Sequence, residues 1–139
     1  MQKIIVDTNV IVSALIQRSY PYLIMSQLFI DHEIEICISD ELMKEYYDVL
    51  GRKKFSKYPD FISGATAILT DIENKSARYV PTVQLQILTD PDDDKLLELA
   101  HVSKADYLIT GNSNHFTINY YKKTKIVSPK EYWELYKPV

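Results

Sequence analysis

A single cysteine, Cys37, leaves this chain without an internal disulfide and fits a reducing cytoplasm. It sits in the strand-like run Ile34-Glu35-Ile36-Cys37-Ile38, where a small apolar residue is expected in the core. Glycine (3) and proline (6) are scarce, so a long flexible linker is not expected. Histidine is equally sparse: His32, His101 and His115 have no zinc-ligand spacing with one another or with Cys37. No apolar run approaches the roughly 20 residues that span a bilayer. Asp7 and Asn9 interrupt the early apolar stretch, so no signal-peptide pattern is expected. The formal net charge is −3, which argues against a basic surface that grips nucleic acid everywhere. Acidic residues gathered in one pocket would still leave room for a basic rim, and two local clusters exist. One is Arg52-Lys53-Lys54 with Lys57; the other is Lys122-Lys123 with Lys125. The plain reading of each is a solvated face.

What remains is an ordinary globular composition, 46% apolar and 25% charged, in 139 residues, the length of one domain over residues 1–139. The elements alternate. Residues 3–7 read as a strand, 9–16 as the start of a helix, and 20–31 as an apolar helix with Leu23, Ile24, Leu28 and Phe29 on one side. Residues 34–38 form a second strand, and Ser39 caps a helix that runs to Leu50 and stops at Gly51. A helix over 60–75 and a short strand or extended connection over 78–83 follow. Asp90-Pro91-Asp92-Asp93-Asp94 opens a helix with Leu96, Leu97, Leu99 and Ala100 inward. Ala105–Thr110 is a strand closed by Gly111-Asn112, and Lys125–Val127 is the last strand. Ser128-Pro129 starts a C-terminal helix carrying Tyr132, Trp133 and Leu135. This alternation predicts a three-layer α/β/α sandwich around a mainly parallel, twisted sheet.

Such a sheet binds ligands just beyond the carboxyl ends of its strands. Asp7 ends the first strand there, as a metal ligand or a nucleophile. Glu45 shares a helical face with Leu42 and Val49, and a carboxylate on an apolar stripe is costly unless paired or bound to a metal. Its alternative place is the stripe's edge, paired with a Lys or Arg. Asp90, Asp92, Asp93 and Asp94 are all candidate caps of one helix, but one cap explains only one of them. Asn112 follows a Thr-Gly turn and can approach Asp7 if the two strands are neighbours; otherwise it is a turn residue. Oxygen donors with few His or Cys suit Mg²⁺ or Mn²⁺, and such a site suits phosphodiester hydrolysis. An aspartyl-nucleophile phosphatase would want D-x-D after the first strand, where this chain has Asp7-Thr8-Asn9. A receiver domain would want an acidic pair next to the first strand, and no such pair precedes Asp7.

Taken together, IIVDTNVIVSAL, SDELMKEYYDVLGRKKF, DPDDDKLLELAHVSKADYLITGN and the NHF that follows resemble the PIN domain along essentially the whole chain. The likeness is nearest to the small prokaryotic PIN proteins described as toxins of toxin–antitoxin pairs. It implies a cytoplasmic, metal-dependent ribonuclease using Mg²⁺ or Mn²⁺, with RNA as substrate, an antitoxin partner, and a homodimer formed through the first two helices. It implies Asp7, Glu45 and Asp93 as the metal-binding and catalytic acids. Asp93 is chosen over Asp94 because the family's aspartate stands seven residues before the small residue matched by Ala100. Asn112 takes the fourth catalytic position, often Asp, and so leaves one fewer negative charge. In that scheme Thr8, Asn9 and Thr110 support the acids. Lys53, Lys54 and Tyr120-Tyr121-Lys122-Lys123 are candidate RNA-rim contacts, although the aromatics there are expected in the core or on a dimer surface rather than as base-stacking platforms. A PIN fold that binds RNA or protein without cutting is the alternative.

Overall fold

The structure is a computed structural model and describes residues 1–112 and 115–139. Its centre is a six-stranded sheet: β1 (Gln2–Val6), β2 (Ile34–Ile38), β3 (Ala77–Arg78), β4 (Tyr107–Ile109), β5 (Tyr120–Tyr121) and β6 (Thr124–Val127), in the order β3-β2-β1-β4-β6-β5. All neighbours are parallel except β5, which closes the edge antiparallel to β6. Ile4, Ile5 and Val6 are wholly buried, as are Ile36 and Cys37. Consecutive apolar residues bury together only in a strand covered on both faces. Burial also pushes the Cys37 thiol up to about 11, so it is an inert core residue, as its context suggested.

The helices are α1 (Thr8–Ile16), α2 (Tyr20–Leu23), α3 (Asp40–Leu50), α4 (Phe61–Lys75), α5 (Pro91–Ser103) and α6 (Pro129–Glu131). α1, α3 and α4 pack on one another, while α5 lies against β1 and β2. From β1 the chain steps outward to β2 and β3, then returns through α5 to β4 on the far side of β1. Right-handed crossovers put the helices of those opposite steps on opposite faces. The reversal makes the gap between β1 and β4 the topological switch point, where a ligand crevice forms.

Several boundaries differ from the sequence expectation for physical reasons. The helix expected over 20–31 is α2 followed by a π-helical segment, Ile24–Phe29. The wider turn rotates the inward face, so Met25 is buried with Ile24, Leu28 and Phe29. A second π segment, Tyr132–Tyr136, extends α6; it buries Tyr132 and leaves Leu135 68% exposed. Ser39 does cap α3, its hydroxyl accepting the Leu42 N–H at 3.1 Å, and Gly51 does end it, though at φ −88° rather than left-handed. The strand expected over Ala105–Thr110 is only Tyr107–Ile109, and β3 holds two residues before the chain runs on irregularly. β5 was not foreseen: its hairpin turns at Lys122, which takes a left-handed φ of 51°.

Candidate active site

Asp7 lies one residue past β1, and its N–H still donates to the Ile109 carbonyl at 2.9 Å. Thr110, one residue past β4, donates likewise to Val127 at 3.0 Å. These extra rungs hold the two residues side by side at the carboxyl edge of the sheet. Asp7 stands at the N-cap position of α1 but caps nothing with its side chain. Its Oδ2 instead accepts a 2.8 Å hydrogen bond from the Thr110 hydroxyl. Burial raises the Asp7 pKa, the Thr110 bond opposes that, and the Glu45 charge adds to the rise.

Glu45 stands at the half-buried edge of the α3 stripe, beside buried Leu42, Met43 and Tyr46. Its partner is neither Lys nor Arg: the buried Thr8 hydroxyl donates to Glu45 Oε2. The neighbouring Tyr46 is fully buried, and its hydroxyl donates to the Val6 carbonyl. This bond ties α3 to the end of β1 and so sets where Glu45 meets Asp7.

The aspartates opening α5 divide their labour. Asp90 is the N-cap, accepting the Asp92 N–H at 2.9 Å, and Asp92 faces Lys95 at 3.7 Å. Asp94 is buried, and its Oδ1 accepts the amides of Ile87 and Leu88 at 3.2 and 2.9 Å. It fastens the irregular segment before α5. The Asp7 charge acts on Asp93. Burial, then the Asp7 charge, then Asp90 push its carboxyl up to about 6, while His115 draws it back.

Asn112 is exposed in the turn after β4; its N–H donates to Thr110 Oγ1 at 3.1 Å and its carbonyl accepts the His115 N–H at 2.9 Å. Asn9 Oδ1 accepts the Gly111 N–H at 3.4 Å and braces the same turn. A hollow of ≈260 Å³ opens beside it, lined by Asn9, Ser13, Gly111 and Asn112 among others. His115, whose charge offsets both Asp7 and Asp93, is the residue that sequence reasoning passed over. The NHF run was its signal, although Asn114 of that run lies outside the described residues.

The donor set, carboxylate oxygens with a hydroxyl behind each of two, is of the kind a hard divalent cation takes. Among the described residues, however, no three His, Cys, Asp or Glu side chains are gathered closely enough to hold one ion. The Glu45 charge acts on Asp7, and the Asp7 charge acts on Asp93. Neither expected RNA rim lines this site. Lys53 borders a ≈500 Å³ hollow between α3 and α4, and Lys54 lies over the Phe55 ring at 5.2 Å. Tyr120 and Lys123 line a hollow with Met1 and Gln2, at the amino edge of the sheet and opposite Asp7. Among the described residues, no helix is long and apolar enough to cross a membrane.

A sheet reversed at β1 and β4, with carboxylates at that switch point, is the arrangement of a PIN domain, and the PIN domain family model matches residues 3–114. The chain belongs to the PIN domain family, whose members are mostly metal-dependent ribonucleases. It is 30% identical over 141 residues to the uncharacterized protein MJ1680 of Methanocaldococcus jannaschii, covering 95% of this chain and 90% of that one. No solved structure matches the chain significantly.

Proposed function

We propose that this protein is a divalent-metal-dependent endoribonuclease and the toxin half of a toxin–antitoxin pair. The observation that carries the nuclease reading is the position of half-buried Asp7 at the switch point of a PIN fold, where the Glu45 charge acts on it and its own charge acts on Asp93. Mutual repulsion and burial make that arrangement costly for the bare protein, and a cation relieves both.

Asp7, Glu45 and Asp93 would hold Mg²⁺ or Mn²⁺. A cation bound there supplies an activated water and neutralises charge on the phosphate oxygens. Thr110 and Thr8 each donate a hydrogen bond to one of these acids, Asp7 and Glu45, and help to orient it. A nearby carboxylate could orient the attacking water or take its proton, and solvent would protonate the leaving 3′-oxygen. The products would carry 5′-phosphate and 3′-hydroxyl ends. Asn112 bonds through its amide and cannot serve as a base. An apolar hollow of ≈180 Å³ between α1, the π segment and α4, with Ile11, Leu15, Met25 and Ile68 in its lining, supports a homodimer through the first two helices.

The dispersed acids and Asn112 favour one second reading, a PIN fold that binds RNA or protein without cutting it. Incubating purified protein with a mixed RNA pool and Mn²⁺ or Mg²⁺, with Asp7→Asn as control, separates the two. Cleavage abolished by EDTA and by Asp7→Asn sustains the nuclease. RNA retained intact, with no cation uptake by titration, favours the binding module. Growth arrest on expression, relieved by Asp7→Asn, tests the toxin role.

A further inference from the structure

The edge of the sheet opposite Asp7 carries a second concentration of chemistry that the nuclease reading does not use. β5 and β6 pair Tyr120 directly with Lys125, and β6 and β4 pair Lys125 with Tyr107. Residues paired across strands share a face, so Tyr120, Lys125 and Tyr107 form a row. Tyr136, from the C-terminal π segment, stacks on Tyr107 with ring centroids 5.3 Å apart. The Lys125 ammonium lies between two rings, 4.5 Å from the centre of Tyr136 and 5.4 Å from that of Tyr120. This row borders a hollow of ≈520 Å³ that also takes in Gln2, Asp106 and Lys123.

The charges of this hollow are not self-cancelling. Asp106 is already engaged: its Oδ2 accepts the Lys3 N–H at 2.8 Å, and its Oδ1 faces the Lys123 ammonium at 3.4 Å. Lys125 spends one of its three N–H donors on the Tyr136 hydroxyl. Lys123 balances Asp106, so Lys125 leaves this space with one positive charge in excess, beside Tyr120, which is 54% exposed. An aromatic face next to unspent ammonium donors is complementary to a flat ring carrying a phosphate.

We propose that this hollow is a binding site for a nucleoside monophosphate unit, its base on Tyr120 and its phosphate on Lys125 and Lys123. The unit could come from a free nucleotide or from the phosphorylated end of an RNA strand. The Tyr120–Lys125–Tyr107 row lies level with Ile4, three residues of β1 from Asp7 and on the order of 10 Å away at ~3.3 Å per residue, and the hollow runs from there toward Met1 and Gln2, so it is distinct from the candidate active site.

The test is a titration of ¹⁵N-labelled protein in EDTA, where cleavage does not intervene, read from backbone amide shifts. Adenosine 5′-monophosphate should move the amides of Tyr107, Tyr120, Tyr121 and Lys125 saturably and leave those of Asp7 and Thr110 in place. Adenosine alone and inorganic phosphate alone should each bind about tenfold more weakly or worse. Tyr120→Ala, at an exposed ring, and Lys125→Met should each weaken binding by about tenfold. If Lys125→Met loses its fold, Tyr120→Ala and the adenosine comparison still decide. A 5′-phosphorylated RNA trinucleotide that binds more tightly than the mononucleotide, and than its 5′-hydroxyl counterpart, identifies a strand end as the source. A trinucleotide that binds no better identifies the free nucleotide. No saturable shift at millimolar nucleotide, shifts confined to the Asp7 edge, or binding unchanged by Tyr120→Ala would each overturn the site. Because the readout is metal-free binding, its failure is separable from a failure to cleave RNA.

Discussion

Thr110 donates a 2.8 Å hydrogen bond to Asp7 across a sequence separation of 103 residues, from the end of β4 to the end of β1. The bond fixes which Asp7 oxygen remains free, because the other is held against the sheet. Thr110→Val keeps the β-branched shape that the buried strand end requires and removes only the hydroxyl. Cation affinity, read by titration calorimetry with Mn²⁺, should fall about 10- to 100-fold, as it does when a supporting hydrogen bond to a ligand is lost. Unchanged affinity would mean that Asp7 does not need Thr110 for its position.

Asp93 and Asp94 are adjacent, yet opposite consequences are expected. Asp94→Ala removes the acceptor for the Ile87 and Leu88 amides and should cost roughly 1–3 kcal/mol of stability in urea unfolding. Asp93→Asn removes a charge that repels Asp7 and should leave stability unchanged or raised while abolishing RNA cleavage. If Asp94→Ala alone stopped cleavage without loss of stability, the two roles would have to be exchanged.

The strands were legible because burial on both faces writes itself as consecutive apolar residues, as in Ile4-Ile5-Val6 and Ile36-Cys37-Ile38. The ends of α3 were equally legible from Ser39 and Gly51, whose chemistry is local. The two π segments were not, since one extra residue per turn leaves no compositional mark. Nor was β5, a two-residue edge strand whose partner decides it. Within the acidic run, the division of labour depended on which amides lay nearby, and Ile87 and Leu88 carry no sequence signal for that. The placement of Tyr120 and Lys123 on the far edge from Asp7 followed from strand direction, which the basic cluster itself could not reveal.

The elevated carboxyls make a pH prediction with a definite sign. Asp93 titrates at about 6 in the folded protein, above the ordinary aspartate value, so the native state binds its proton more tightly than the unfolded chain does. The associated stability is fully present below about pH 4 and is lost as pH rises through about 6. Asp7 shifts in the same direction. In EDTA, the Tm difference between the wild type and Asp93→Asn should therefore turn against the wild type from about pH 4 to about pH 6 and then level off. Mn²⁺ should raise the wild-type Tm more at pH 7.5 than at pH 5, because the cation competes with the proton. A difference profile flat across this window would rule out an elevated Asp93.

Asn112 stands on the turn whose backbone supports Thr110, and its side chain is neutral where an acid would add a charge near Asp7. Asn112→Asp preserves both the N–H bond to Thr110 and the tolerance of the turn. It should tighten Mn²⁺ binding about fivefold to tenfold, a charge effect on the order of 1 kcal/mol at short range in water. It should also raise the cleavage rate at limiting cation, and at saturating cation the two proteins should converge. If the substitution tightens binding but creates cleavage where the parent has none, the parent is a binding module whose missing function is a single charge. If it changes neither, the residue at 112 acts only through its backbone, and the cation site is complete without it.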